Sequence, residues 1–237
     1  MKVKKELIIA SCGLFKEQCS LETLMHIKKC DIVFSHIIDD DILHFLKRLS
    51  VRVKIIRNLN PVKAAQKVMG AFKEYNKICF LTYGNPLFFN SSSNYLKEKA
   101  LRADIKTTIV NAVSSFDSII SLLGGTNNFA RAGLRIVDIG ACMENVEFTT
   151  KMCTLVFMVG TLNSKGNEKY KDAFIKKIIA TYPKDTQYIM VDAKSIAINK
   201  DVLIKGVVGD LLKDFKKITE RTTLFLPAIG LEAKNKR

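Results

Sequence analysis

The sequence contains no uninterrupted apolar run of the ~18–20 residues that a membrane-spanning helix requires. It also contains no P-loop, no GxGxxG turn, no HExxH or GxSxG motif and no zinc-ligand spacing. These absences predict that no membrane is involved, and they argue against P-loop NTPases, Rossmann dehydrogenases and zinc hydrolases. None of the six cysteines forms a CxxC pair and no secretory signal is recognised, so reduced thiols in a cytoplasmic protein are expected.

Acidic residues are scarce relative to basic ones. There are 23 Asp and Glu against 38 Lys and Arg, which gives a net charge of +15. Nucleic-acid binding is one interpretation of this charge. A lysine-rich genome is the other, and it is favoured because the lysines are spread from Lys2 to Lys236 without a dense block. RNA is therefore an alternative partner and not the favoured one.

Short apolar runs alternate with helical patterns along the 237 residues. Residues 1–125 show five such alternations, a pattern that predicts a mostly parallel sheet with helices on both faces. A linker candidate, Gly124 to Arg131, follows, and residues 126–237 are richer in strand-like runs. The predicted fold class is therefore α/β with two lobes: an N-terminal domain of residues 1–125 and a C-terminal domain of residues 126–237 with a mixed sheet.

One stretch organises this prediction. Ile78 to Tyr83 is an apolar run of strand type, the chain breaks at Gly84-Asn85-Pro86, and Leu87-Phe88-Phe89 follows before a polar helix start. Open α/β sheets bind ligands beside the carboxyl ends of their strands, so Gly84 to Phe89 is predicted to form the floor of a binding cleft. One strand-helix unit later, Ser114 and Ser115 begin a helix, where their hydroxyls could cap it or help to hold a ligand carboxylate.

Two further segments have open interpretations. Thr154 to Gly160 is predicted to be a strand, and its end is either core or a backbone edge that approaches a ligand beside an apolar wall formed by Met158. His36 and His44 flank Asp39-Asp40-Asp41. A solvated loop that caps the next helix is favoured there over a metal site, so no metal is predicted.

Five segments, in this order along nearly the whole chain, resemble the tetrapyrrole methylase superfamily, the class III S-adenosylmethionine-dependent methyltransferases. They are Ser11–Phe34 (with Ser11-Cys-Gly, Ser20-Leu-Glu-Thr and Lys29-Cys-Asp-Ile-Val-Phe), Gly84-Asn-Pro-Leu-Phe, Asn111-Ala-Val-Ser-Ser, Thr154–Gly160 and Thr223–Ala228. Within the superfamily, Asp31–Ser35, Tyr83–Pro86 and Ala180–Pro183 are most similar to the borosin-type branch, whose members methylate backbone amide nitrogens of a precursor peptide.

The resemblance implies that S-adenosyl-L-methionine binds in a cleft between the two lobes. The residues that it assigns to cofactor binding are Gly84, Asn85, Pro86, Leu87 and Phe88 in the turn, Ser114 and Ser115 at the ribose or amino-acid end, and Met158 and Ala228 around the adenine. An amide acceptor would also require a tyrosine polarised by an arginine, for which Tyr83 and Arg57 are the candidates. A precursor peptide or other methyl acceptor and a homodimeric partner are implied as well.

The sequence departs from the family pattern at three places. Asn85 stands where most relatives have Asp or His, Asn111-Ala112 replaces Pro-Gly, and the helix predicted from Pro61 to Tyr75 has no Arg and no Tyr before its end. Two alternatives to peptide methylation therefore remain. One is a tetrapyrrole or RNA methyltransferase of the same fold, and the other is a cofactor-binding scaffold that is catalytically impaired.

Overall fold

The structure is a computed structural model that describes residues 4–35, 40–49, 51–56, 60–142, 147–195 and 198–230. It divides the chain into two compact units, Met1–Ser118 (unit 1) and Ile119–Arg237 (unit 2). This division falls somewhat earlier than the sequence-based boundary at residue 125. Nowhere in the described ranges is there a helix both long enough and apolar enough to span a membrane.

Unit 1 is built on a five-stranded parallel sheet with the strand order β3-β2-β4-β1-β5. The strands are β1 Glu6–Ser11, β2 Ile32–Ser35, β3 Val53–Ile55, β4 Lys77–Thr82 and β5 Lys106–Ile109. The helices are α1 Leu21–Lys28, α2 Asp40–Arg48, α3 Pro61–Gly70 and α4 Ser91–Arg102, followed by α5 Ser115–Leu122, which begins in unit 1 and ends in unit 2. Strands β1, β2 and β4 are buried along almost their whole length, as expected for a parallel sheet that is covered on both faces.

The strand order determines where the helices of unit 1 lie. The connections from β1 to β2 and from β2 to β3 lead in one direction along the sheet, whereas those from β3 to β4 and from β4 to β5 lead in the other. Because such crossovers are right-handed, α1 and α2 cover one face and α3 and α4 cover the other. Helices α3 and α4 accordingly share one core through Ala64, Val68, Leu96 and Ala100. The predicted parallel sheet with two covered faces is confirmed.

Unit 2 contains the predicted mixed sheet, with the order β6-β7-β10-β8-β9. Its strands are β6 Leu134–Asp138, β7 Cys153–Phe157, β8 Gln187–Asp192, β9 Val202–Val207 and β10 Thr223–Leu226, and its helices are α6 Ile139–Cys142, α7 Glu168–Thr181 and α8 Leu211–Asp214. Strands β6 and β7 are parallel, and β10 runs antiparallel between β7 and β8. Phe174 of α7 joins the core through ring contacts with Phe148 and Phe215, at centroid distances of 5.5 and 6.0 Å.

A polar network lies within unit 2. The hydroxyl of Tyr188 donates a hydrogen bond to Asp214 Oδ2 at 2.6 Å, and Lys217 Nζ donates one to Asp214 Oδ1 at 2.6 Å. Burial and the neighbouring carboxylate raise the pKa of Tyr188, while the hydrogen bonds from Lys217 and Tyr188 lower the pKa of Asp214. The network therefore holds a neutral phenol and an ionised carboxylate at neutral pH.

Candidate functional site

The two central strands of unit 1 define the place where a ligand is most easily bound. Strands β1 and β4 are neighbours, and the connection that leaves β1 runs in the opposite direction along the sheet from the one that leaves β4. Such a topological switch point opens a crevice outside the carboxyl ends of the two strands. The loops that follow β1 and β4 therefore form the candidate site, as the focal stretch of the sequence predicts.

These two loops are joined through Gly13 and Gly84. The N–H of Gly84 donates a hydrogen bond to the carbonyl of Gly13 at 3.0 Å. Gly84 has a φ of 62°, a conformation that residues with a side chain rarely adopt. A Cβ added there would meet only ordinary contacts, 3.8 Å from Leu14 Cδ2 and 3.9 Å from Ser114 Cα. Glycine is thus required by the backbone angle, and the loops after β1, β4 and β5 meet at this point.

Asn85 shapes the turn that follows Gly84. Its Oδ1 accepts the N–H of Leu87 at 3.0 Å, and its carbonyl accepts the N–H of Phe88 at 3.2 Å. A carboxylate oxygen could accept the same bond, since Asn and Asp make this type of turn equally well. Pro86 is buried, while Asn85 and Leu87 are half-buried. The presence of Asn85 where the resemblance predicts Asp or His therefore leaves the turn intact.

Ser114 is engaged as a helix cap. Its N–H and its hydroxyl both donate to Asp117 Oδ2 at 2.7 Å, and Asp117 N–H returns a bond to Ser114 Oγ at 3.4 Å. This reciprocal pairing is a capping arrangement, so the capping interpretation of Ser114 is supported. Ser115 is the first residue of α5 and is half-buried. Because Asp117 places a negative charge here, the helix start suits hydroxyl or ammonium groups better than a ligand carboxylate.

Three phenylalanine rings, those of Phe88, Phe89 and Phe116, lie together beside the turn. The ring centroids of Phe88 and Phe89 are 4.5 Å apart, and those of Phe88 and Phe116 are 6.0 Å apart. Phe89 has a φ of 47° and remains 40% exposed. A left-handed backbone at a bulky residue costs on the order of 1–3 kcal/mol and occurs most often at functional sites. Sequence reasoning found the apolar patch but could not foresee the strain or the contact with Phe116.

The structure describes only one residue of the predicted catalytic pair Tyr83 and Arg57. Tyr83 directly follows β4 and is half-buried, which places it at the carboxyl edge of the sheet beside Gly84. Arg57 lies outside the described residues. Polarisation of Tyr83 by Arg57 therefore stays a prediction.

The structure separates the two residues assigned to the adenine. Met158 follows the last residue of β7, whereas the N–H of Ala228 donates to the Sγ of Cys153, the first residue of β7, at 3.4 Å. At about 3.3 Å per residue, the strand places these positions roughly 16 Å apart, at opposite edges of the sheet. Their placement does not support a single adenine wall, because the antiparallel pairing of β10 with β7 brings the start of β10, and not its end, beside Met158.

The segment that does meet Met158 is the turn before β10. The N–H of Val159 donates to the carbonyl of Thr222 at 2.9 Å. A Cβ at Gly160 would lie 1.8 Å from the carbonyl oxygen of Thr219. The backbone at Gly160 thus approaches its own chain, so the interpretation of this glycine as a ligand-facing edge is not supported. Met158 itself has a φ of 57° and ends the strand earlier than the predicted Thr154–Gly160.

Metal ligands and thiols add nothing to the candidate site. In the described ranges, no three His, Cys, Asp or Glu side chains are grouped so that they could hold a metal ion. His36 and Asp39 of the acidic cluster lie outside those ranges. The described cysteines Cys12, Cys19, Cys30, Cys79 and Cys153 are free thiols. Hydrogen bonding to Cys19 and burial raise the pKa of Cys12, so this thiol, at the start of the loop after β1, is protonated at neutral pH.

Comparison with known proteins places this geometry in context. The sequence profile of the Tetrapyrrole (Corrin/Porphyrin) Methylases matches residues 7–211. The solved structure of uroporphyrin-III-C-methyltransferase from Thermus thermophilus is similar, with a TM-score of 0.71, 13% sequence identity, and coverage of 94% of this chain and 92% of that one. The comparison with curated proteins gives no match.

Two further solved structures share the fold. Cobalt precorrin-4 methyltransferase, a cobalamin biosynthetic enzyme, has a TM-score of 0.68 at 12% identity and covers 94% of each chain. The methyltransferase CobJ has a TM-score of 0.70 at 8% identity and covers 95% of each chain. At these identities, the likeness establishes the α/β fold with its parallel and mixed sheets.

Proposed function

We propose a function from one premise: the chain belongs to the tetrapyrrole (corrin/porphyrin) methylase family. On this premise the protein is an S-adenosylmethionine-dependent methyltransferase whose cofactor contacts the loops after β1, β4 and β5. The observation that carries the proposal is the pairing of Gly13 with Gly84 at the switch point of the parallel sheet, where Gly84 has a backbone angle that only glycine adopts easily.

The residues at this edge fit the cofactor chemically. The turn from Gly84 to Leu87 presents main chain without a side chain at Gly84, so a nucleotide could approach it closely. Asp117, held at 2.7 Å from both the N–H and the hydroxyl of Ser114, offers a carboxylate to ribose hydroxyls or to an ammonium group. We therefore assign Asp117 to cofactor binding beside Ser114 and Ser115.

The sulfonium of S-adenosylmethionine supplies a methyl group that is already activated. The protein's task is then to hold the acceptor in line with that methyl group and to exclude water. The Gly84–Leu87 turn would position the donor, and the buried Pro86 keeps the turn packed against unit 1. Tyr83, at the same strand end, is the candidate to orient or deprotonate the acceptor.

Two classes of acceptor have support. The similarity of Asp31–Ser35, Tyr83–Pro86 and Ala180–Pro183 to the borosin-type branch favours backbone amides of a precursor peptide. The names of the structural neighbours, which include a uroporphyrin-III-C-methyltransferase, favour a tetrapyrrole. In either case we propose a homodimer, which light scattering of the purified protein would test.

Calorimetry tests the cofactor assignment. Titration of the full chain with S-adenosylmethionine should give saturable heat below ~1 mM cofactor. The Gly84→Ala variant should bind at least about tenfold more weakly, because a left-handed alanine displaces the turn. Gly70→Ala is the matched control, since Gly70 is helical, has open space around its Cα and lies at the end of α3.

The result that would overturn the assignment is the absence of heat at ~1 mM cofactor, or equal weakening by both glycine substitutions. Once binding is established, mass spectrometry after incubation with a peptide or a tetrapyrrole would identify the acceptor by the gain of a methyl group. Cofactor binding without transfer to any acceptor would select the impaired scaffold instead.

A further inference from the structure

The loop between β1 and α1 contains two cysteines, Cys12 and Cys19, one near each of its ends. We propose that these two residues form a reversible disulfide, and that the oxidant is a low-molecular-weight disulfide of the glutathione class. This modification site goes beyond the proposed function, because it requires neither the cofactor nor an acceptor and its thiols take no part in methyl transfer. The carbonyl of Gly13 in the same loop accepts the N–H of Gly84, so oxidation would fix a segment beside the proposed cofactor turn.

The first support is the path of the loop, whose two arms run side by side. A Cβ added at Gly13 would lie only 2.8 Å from Gln18 Cβ, and Gln18 Oε1 accepts the N–H of Leu14 at 2.8 Å. The next residue outward on one arm is Cys12, and the next residue outward on the other is Cys19. The contact between Gly13 and Gln18 therefore brings the two cysteines opposite each other.

Contacts on the other side of the pair hold the same alignment. The hydroxyl of Thr23 in α1 donates to the carbonyl of Ser11 at 3.2 Å, and the N–H of Thr23 donates to Oγ of Ser20, the N-cap of α1, at 3.0 Å. The residues before Cys12 and after Cys19 are thus fixed as well. A disulfide requires Cα atoms about 4.4–6.8 Å apart, and two arms that are in contact on both sides of the pair favour such a separation.

The second support is that the two thiols differ in access and in acidity. Cys12 is 1% exposed, whereas Cys19 is half-buried. The hydrogen bond between the thiols lowers the pKa of Cys19, and the same bond, together with burial, raises the pKa of Cys12. The thiolate is the form that attacks a disulfide. Cys19 therefore meets the oxidant first, and Cys12 is the buried partner that completes the bond.

The oxidation balances as two successive thiol–disulfide exchanges. In the first, the Cys19 thiolate attacks one sulfur of the oxidant, the S–S bond of the oxidant breaks, and one thiolate leaves. In the second, Cys12 gives its proton to that thiolate, and its sulfur attacks Cys19 Sγ and displaces a second thiolate, which takes from water the proton that Cys19 had lost. The protein loses two electrons, and the oxidant gains them as two thiols.

A second pair of thiols in unit 1 provides a comparison. Cys30 is half-buried, and its hydrogen bond with the fully buried Cys79 lowers its pKa as well. However, Cys30 Sγ lies 3.2 Å from the carbonyl oxygen of His26, and Cys79 belongs to β4, which is paired with β1 on one side and with β2 on the other. A bond between Cys30 and Cys79 would have to displace a central strand, so this pair should stay reduced.

The test uses the full chain without cofactor, incubated with oxidised glutathione, alkylated and then digested with trypsin. Because Lys16 lies between the two cysteines, trypsin separates them into peptides of residues 6–16 and 17–28. Mass spectrometry should find these two peptides linked. The linked form should exceed glutathione-modified Cys19 by at least about tenfold, because the second exchange is intramolecular. Treatment with dithiothreitol should separate the peptides again.

Two variants complete the test. Cys12→Ser should keep glutathione on Cys19, because the second exchange is then impossible. Cys30→Ser is the matched control, since it removes another half-buried thiol that lies beside a buried one, and it should leave the link unchanged.

The inference is overturned if the two peptides stay unlinked, if glutathione remains on Cys19 of the unmodified chain, or if Cys30 links to Cys79 in preference. Since S-adenosylmethionine is absent from this experiment, none of these results bears on the proposed function. Failure of the cofactor to bind in calorimetry would overturn that function and leave the disulfide assignment in place.

Discussion

Gly84 of unit 1 and the glycines at 160 and 206 of unit 2 are required for opposite physical reasons. In unit 1, Gly84 has a positive φ but no steric conflict, since a Cβ would make only ordinary contacts, the nearest at 3.8 Å. In unit 2, Gly160 and Gly206 have ordinary backbone angles but no space, because a Cβ would lie 1.8 Å from the Thr219 carbonyl or 2.5 Å from the Tyr188 hydroxyl. The first kind is required by its backbone angle, and the second kind is required because the protein itself fills the space of a Cβ.

This difference distinguishes a functional glycine from a structural one. Both Gly84 and Gly160 follow a buried strand, and in the sequence both carry the same suggestion of a backbone that approaches a ligand. The backbone angle and the neighbours of the missing Cβ separate them. The comparison therefore concentrates the proposed site on the carboxyl edge of unit 1 and predicts that the crowded glycines of unit 2 act through stability.

The largest effect should come from Gly160→Ala. The new methyl group would overlap the carbonyl oxygen and carbon of Thr219, both of which belong to the main chain and cannot rotate away. We expect a loss of at least about 3 kcal/mol of unfolding free energy, measured by urea denaturation. A loss below about 1 kcal/mol would show that the turn before β10 moves freely, and the contrast between Gly84 and Gly160 would then fail.

Gly206→Ala should be the next most damaging substitution. Its Cβ would meet two side chains, the Tyr188 hydroxyl at 2.5 Å and Asp214 Oδ2 at 2.7 Å, which can shift only if their hydrogen bond breaks. The expected loss is about 2–3 kcal/mol, close to the cost of a charged hydrogen bond plus some overpacking.

A double-mutant cycle checks the cause of that loss. If Gly206→Ala acts by breaking the Tyr188–Asp214 bond, Tyr188→Phe should cost clearly less in the Gly206→Ala background than alone. Additive losses would mean that the methyl group acts elsewhere.

At Gly84, the tolerance of the new residue for a left-handed backbone should matter more than the volume of its side chain. Gly84→Val should lose about 2 kcal/mol, because a branched side chain disfavours the left-handed region, whereas Gly84→Asn should lose less than about 1 kcal/mol. Thermal unfolding of the two variants measures the difference. Equal losses would indicate that Gly84 is crowded, and it would then not differ from Gly160 and Gly206.

Much of unit 1 follows from local sequence patterns. The run from Ile78 to Tyr83, the break at Gly84 and the polar helix start at Asn90 predict the strand, turn and helix that the structure contains, with the strand one residue earlier at Lys77–Thr82. The carboxyl ends of parallel strands necessarily meet at one edge, so the closeness of Gly84 and Ser114 could also be predicted.

The placement of Met158 relative to Ala228 could not be predicted in the same way. It depends on the antiparallel register in which Leu224 pairs with Val156, a contact between distant segments that no local pattern encodes. The capping role of Asp117, by contrast, could have been predicted. Its spacing from Ser114 fits a capping box with Asp in place of Glu, a signal that the sequence does contain.

Acid should weaken unit 2 through Asp214. Hydrogen bonds from Lys217 and Tyr188 lower its pKa, so its contribution to stability is complete above the ordinary carboxyl pKa of about 3.9 and is lost as the pH falls through the lower folded value. Urea midpoints from about pH 5 to about pH 2 should therefore decline less steeply in Lys217→Met, which removes the largest cause of the shift. Lys216→Met, a change at the adjacent exposed lysine, should leave the slope as it is, and equal slopes in all three proteins would contradict this assignment.

Gly70→Ala completes the comparison with a glycine that has neither a positive φ nor a crowded Cβ position. Gly70 ends α3 with helical angles, φ −60° and ψ −30°, and has no heavy atom within 4 Å of an added Cβ. Alanine should therefore raise the unfolding free energy by about 0.5 kcal/mol, since it restricts the unfolded chain more than the folded one. Thermal unfolding would detect the gain. A loss of stability here would show that glycine substitutions in this chain cannot be ranked from the local angle and the space around the Cα, and the assignment of Gly84 to function would lose its physical basis.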